Sequence, residues 1–122
     1  MEQRRPDLPR GEWREFFDAM TRDYEGVEVT VEVVSGEFGD QVEAERSPLA
    51  YLEYDPKDDQ FAVGLGGPGG EPVTRHAVPH PRKIMADTVQ QGTVRAFDVV
   101  DAEGGQTIVT LHRPRLSTQT PA

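Results

Sequence analysis

Residues 27–34 read VEVTVEVV, and the fold turns on this stretch. Val27, Val29, Val31 and Val33 alternate with Glu28, Thr30 and Glu32, so an extended chain puts four valines on one side and polar groups on the other. Successive side chains of a strand point to opposite faces, and this period of two marks a strand with one face buried and one wet. The valine face needs a cover. It stands just upstream in GEWREFFDAMTRDYEG (11–26), where Trp13, Phe16, Phe17, Met20 and Tyr24 recur at helical spacing and form one apolar stripe. Gly26 supplies the helix stop, since glycine takes the left-handed conformation that closes a C-terminus.

Downstream, SGEFGD reverses the chain and QVEAE alternates again, with Val42 and Ala44 directed inward. PLAYLEY carries this second strand beyond a break at Pro48. DPKDD is a turn with a mechanism: Asp55 accepts the backbone N–H two residues on, and Pro56 presets φ for the first central position. QFAVGL is a third strand, GGPGGEP a flexible loop and VTRHAV a short fourth strand. PHPRKI is an extended segment that its prolines confine to a sheet edge or a connection. VRAFDVVD, a turn at AEGG, and QTIVTLH make the last hairpin.

Strands joined by short turns rather than crossover helices predict an antiparallel sheet. The expected fold is α+β: an N-terminal helix packed on a curled antiparallel sheet of five or six strands, of a size to close into a small SH3- or Sm-like roll or barrel. One domain is expected over residues 10–112, with a disordered lead-in at 1–9 and a disordered tail at 113–122.

Composition narrows the chemistry. Zero cysteines removes disulfides, thiolate metal sites and cysteine nucleophiles together. No apolar run approaches the roughly 18 residues needed to cross a bilayer, and MEQRRPDLPR lacks the apolar stretch of a signal peptide, so a soluble cytoplasmic protein without a membrane partner is expected. The net charge of −9 is concentrated: residues 23–59 hold twelve Asp and Glu against two basic residues, while the flanking segments are near neutral.

RHAVPHPRKI (75–84) holds two of the three histidines. His76 and His80 are four apart, but Pro79 and Pro81 forbid a helix, and on an extended chain four residues span about 13 Å, too far for a shared zinc. No metal and no cofactor are expected. A chain of this charge is repelled by a phosphate backbone, so no nucleic acid is expected either. GLGGPGG lacks the Gly-Lys-Ser/Thr ending of a phosphate loop. DPKDDQ lacks the glycine and glutamate of a calcium loop. Ser35, Ser47 and Ser117 sit in no nucleophile elbow, and carboxylate pairs such as Asp58 with Asp59 or Asp98 with Asp101 are set apart only by adjacency.

With no catalytic signature, the sequence reads as a non-enzymatic interaction or regulatory module. Glu28, Glu32, Glu43 and Glu45 are expected to point outward as one acidic hairpin face that docks a basic protein. Like charges facing across a strand pair cost about 0.2 to 1 kcal/mol each, so such a face implies either a role or a solvated surface. His80, Arg82 and Lys83 are the other binding candidates. The alternative is a small-ligand-binding or enzymatic roll with His80, Arg82 and Asp55 around a pocket. Exposed strand edges fit a monomer or a dimer.

Taken together, EWREFFDAM, GDQVEAE, PLAYLEYDPKDDQFAV, HPRKI and VVDAEGGQTIVTL resemble a small bacterial family, domain of unknown function DUF5335. The resemblance covers about residues 11 to 112. It implies a shared fold and transfers no activity, ligand or site residue. The Gly-rich insert GGPGGEP and His76 depart from the family pattern, which leaves His80 and Arg82 as the better candidates.

Overall fold

The structure is a computed structural model that describes residues 7–37, 39–67, 72–88 and 94–112. A 3-10 turn, Arg10–Glu12, leads into helix α1, Trp13–Tyr24. Seven strands follow among the described residues: β1 (Glu28–Ser35), β2 (Gly39–Asp55), β3 (Gln60–Gly66), β4 (Val73–Pro79), β5 (Pro81–Thr88), β6 (Val94–Asp101) and β7 (Gln106–His112). They form one antiparallel sheet in the order β4-β3-β2-β1-β7-β6-β5.

The helix and β1 stand where their periodicities put them. Trp13, Phe17 and Met20 are buried, Phe16 and Tyr24 pack partly against the core, and Val29 and Val31 are fully buried beneath the helix layer. The helix ends at Tyr24, and Gly26 takes φ +90° while its N–H donates to the Leu49 carbonyl. Phe17 sits at the centre of an aromatic group, 5.0 Å from Phe61 on β3 and 5.2 Å from Phe97 on β6. One helical side chain thus joins both halves of the curled sheet.

The sheet has seven strands rather than five or six, because the PHPRKI segment is the start of a full edge strand. Pro79 closes β4 and Pro81 opens β5, positions where a missing N–H costs no ladder bond. A register shift between Pro81 and Lys83 exposes Arg82 and Lys83 in succession before Ile84 returns to the core. The two outer strands of the sheet are consecutive in the chain with His80 alone between them, so the sheet curls until its edges meet at that corner. No ladder joins β4 to β5 among the described residues, and the expected barrel is not closed.

β2 runs for 17 residues through Pro48 without ending. Up to Pro48 it pairs with β1, and from Leu49 it pairs with β3. Two register shifts against β1 change its phase. Val31 faces Ala44 but Glu32 faces Val42, so Glu43 is an extra residue and Val42 turns outward, 54% exposed, rather than inward. At the second shift Arg46 adopts φ 49°, its N–H donating to the Thr30 hydroxyl and its guanidinium bonding Glu28 at 3.0 to 3.1 Å.

Beyond the end of β1, the helix takes over the exposed edge of β2. The Thr21 hydroxyl accepts the Leu52 N–H at 2.9 Å and lies the same distance from the carbonyls of Leu52 and Phe17. At the N-terminal side, Asp7 bridges to Met85 and the Leu8 N–H donates to the Ile84 carbonyl, so these two lead-in residues lie against β5. Residues 1–6 of the expected lead-in, the tail from 113, and 68–71 of the glycine-rich loop lie outside the described residues.

Candidate functional site

Three segments far apart in sequence converge where the sheet edges meet. The DPKDD turn forms as its residues dictate: the Asp55 carboxylate accepts the Lys57 N–H at 2.9 Å, and Asp59 closes the turn at φ 53°. His80, also at φ 53°, forms the single-residue corner, and its N–H donates to the Asp59 carbonyl at 2.9 Å. Asp and His are among the residue types that tolerate the left-handed region, so the strain at each is modest. Two such residues in direct contact fix the Asp59 carboxylate in one place.

That carboxylate gathers a cluster. One oxygen accepts from the Tyr54 hydroxyl at 2.8 Å and from Arg10 Nη1 at 3.2 Å, and the other lies 3.3 Å from His80 Nδ1. Arg10 also donates to the Tyr54 oxygen and, through Nη2, to the Pro81 carbonyl at 3.0 Å. Its guanidinium stacks over Trp13, 4.3 Å from the ring centroid, and Trp13 meets Tyr54 edge-on. The Trp13 indole N–H donates to the Leu8 carbonyl.

The hydrogen bond from Tyr54 holds the Asp59 carboxyl below its ordinary range, with His80 and Arg10 adding to the effect. Burial of the Tyr54 ring, then its bond to Asp59, raises the phenol above its ordinary value. An acid kept ionised by its partners is a weak proton acceptor, and both oxygens of the Asp59 carboxylate are engaged. The arrangement acts as a clasp that ties the helix entry, the β2–β3 turn and the β4–β5 corner together.

Because the folded carboxyl titrates below its unfolded value, its contribution to stability is present above the unfolded pKa and is lost as pH falls through the folded one. The Asp59→Asn variant should therefore lose less stability than the wild type on going from about pH 5 to pH 2, across and below the ordinary carboxylate range. Urea unfolding at both pH values checks this. Equal losses in the two proteins would remove the clasp from the account.

The candidates named from sequence are dispersed. His80 joins Asp59 rather than Asp55, whose carboxylate serves its own turn. Arg82 is exposed on β5, and Lys83 reaches Asp7 at 4.0 Å. His76 sits on β4 opposite Val63, and His112 lies 2.7 Å from the Thr30 hydroxyl across the β1–β7 pair. Among the described residues no three His, Cys, Asp or Glu side chains group as metal ligands would. Arg10, Tyr54 and Asp59 escaped the sequence reading; Asp59 figured there only as a neighbour of Asp58.

A cleft of about 470 Å³ opens beside the clasp, lined by Arg10, Gly11, Arg14, Tyr54, Pro56 and Asp59. On the acidic ribbon, Glu28 is bound by Arg46, while Glu43 and Glu45 are exposed and Glu32 half-buried. The register keeps the glutamates apart: Glu28 faces Pro48 and Glu32 faces Val42.

Comparison with known proteins agrees with the motifs read along the chain. Residues 4–120 match a family described as a family of unknown function, DUF5335. The chain belongs to DUF5335. An uncharacterized protein of Aquifex aeolicus (strain VF5) is 38% identical over 104 residues, which span 85% of this chain and 88% of that protein. No solved structure matches the chain. Among the described residues of this DUF5335 member, no helix is long and apolar enough to cross a membrane.

Proposed function

We propose that the protein is a non-enzymatic interaction module whose β1–β2 ribbon docks a basic partner. The observation that carries this reading is the set of exposed acids on the ribbon that no cation meets among the described residues. Two register shifts set Glu43 and Glu45 out of step with Glu28 and Glu32, so the cross-strand repulsion expected of a shared acidic face is relieved. Glu37, Asp40, Glu43 and Glu45 are exposed and make no ion pair among the described residues. A surface of one sign steers association with the opposite sign and loses that advantage in salt. The clasp supports the non-enzymatic half of the reading, since its central carboxylate is committed to Tyr54 and Arg10.

The test is retention of proteins from a lysate on immobilised wild type and on the triple variant Glu32→Lys, Glu43→Lys, Glu45→Lys, each at low and high salt. The expected result is a basic protein held by the wild type at low salt, released at high salt, and not held by the variant. Retention of the same proteins by both would defeat the proposal.

A further inference from the structure

The cleft beside the clasp is one end of a longer groove. A second cleft of about 680 Å³ shares Arg14, Tyr54 and Pro56 with it and continues between α1 and the end of β2, over Asp18, Thr21 and residues 51–57. Both volumes fall in the range of small-ligand sites, about 300 to 1,000 Å³.

The lining charges are largely accounted for. Asp59 is matched by Arg10 at 3.2 Å, and Glu53 by Arg75 at 3.7 Å. Four remain without an ion pair among the described residues: Arg14 and Asp18 on the helix wall, Asp55 and Lys57 on the hairpin wall. Each wall therefore offers one cation and one anion. A singly charged ligand would meet a like charge on either wall, whereas a zwitterion meets both signs. Arg14 and Asp18 stand one helical turn apart, about 6 Å along the axis. The charged ends of an extended dipeptide lie about 7 Å apart, and those of a single amino acid are far closer.

The backbone adds a second match. Leu52 turns its N–H and C=O away from β3 to the Thr21 hydroxyl, and Tyr54, two residues on, has the same orientation. The strand edge thus presents a peptide donor and acceptor to the groove just past the point where Thr21 covers it.

We propose that this groove binds short zwitterionic peptides of dipeptide size, the carboxylate on Arg14 and Lys57, the ammonium on Asp18 and Asp55, and the amide against the Tyr54 edge. This site is separate from the acidic ribbon and stands or falls without it. The probes are glycyl-phenylalanine, its N-acetyl form and its C-terminal amide, titrated into the full chain and followed by backbone amide NMR shifts and by Trp13 fluorescence, the chain's one tryptophan. Saturable shifts are expected at residues 14–18 and 52–57 with a Kd of about 1 mM or tighter for the free dipeptide. Each blocked form should bind about threefold or more weakly, the loss of one exposed ion pair. Arg14→Ala should weaken the free dipeptide but leave the amide form unchanged, and Asp18→Asn should do the same with respect to the N-acetyl form. Equal binding of all three probes, shifts elsewhere on the surface, or no saturation by about 10 mM would overturn the proposal.

Discussion

Replacing Phe17 with alanine is expected to cost about 3 to 5 kcal/mol of folding stability, the range for deleting a fully buried aromatic ring. Phe17 has no exposed surface and contacts Phe16, Phe61 and Phe97 at centroid distances of 5.0 to 5.2 Å. Phe61 and Phe97 come from β3 and β6, which lie on either side of the three central strands, and they meet each other at 5.9 Å. Removing Phe17 therefore opens a void between the two halves of the sheet, where collapse from one side alone cannot fill it. Small domains are stable by only about 5 to 15 kcal/mol, so this variant should unfold at a much lower urea concentration. Phe17→Leu should fall between the two. A midpoint shift worth less than about 1 kcal/mol, the typical effect of any point substitution, would mean that the helix is not the keystone of the core.

The second large effect is expected on the opposite face of the sheet, at Gly64. The Tyr51 ring lies flat over this glycine: a Cβ placed there would come within 2.6 Å of ring atoms Cδ2 and Cζ and closer still to Cε2. The ring has little freedom to move aside, because its hydroxyl accepts from Arg75 Nη1 at 3.0 Å while Nη2 of the same arginine donates to Gln60. Gly64→Ala should destabilise by about 1 to 3 kcal/mol, the usual cost of an added group in a packed site. In a Tyr51→Ala background the same substitution should be nearly neutral, and the double-mutant cycle isolates the clash. An equal loss in both backgrounds would place the cause in the backbone instead.

What the sequence made legible was phase. Val29 and Val31 of β1 keep the strand period and the aromatic stripe of α1 the helical one, so both elements and the core side of each follow from residue spacing. Where the phase breaks, the reading breaks with it. In β2 the extra residue at Glu43 moves Val42 to the wet face, and no residue type there announces a bulge. In β5 the shift at Arg82 and Lys83 places two charges side by side between Pro81 and Ile84, so the alternation expected of a strand is absent and an edge strand looks like a connection. The Asx turn at Asp55 was legible because its mechanism spans two residues. The clasp was not, since Arg10 and Asp59 are 49 positions apart and only the curl of the sheet brings them together. The groove residues Arg14, Asp18 and Lys57 look like ordinary solvated charges until the third dimension sets them around Tyr54.

The place of β1 between β2 and β7 has a bearing on biosynthesis. One side of β1 is satisfied early by its hairpin partner, but the other waits for β7, whose Val109 pairs with Val31. A nascent chain cannot complete its central ladder until β7 has left the ribosome, and its valine-rich edge stays open to neighbours in the meantime. Pairings this distant in sequence close slowly, typically over milliseconds to seconds. In a crowded cell, the newly made chain passes its most vulnerable interval between the emergence of β1 and that of β7.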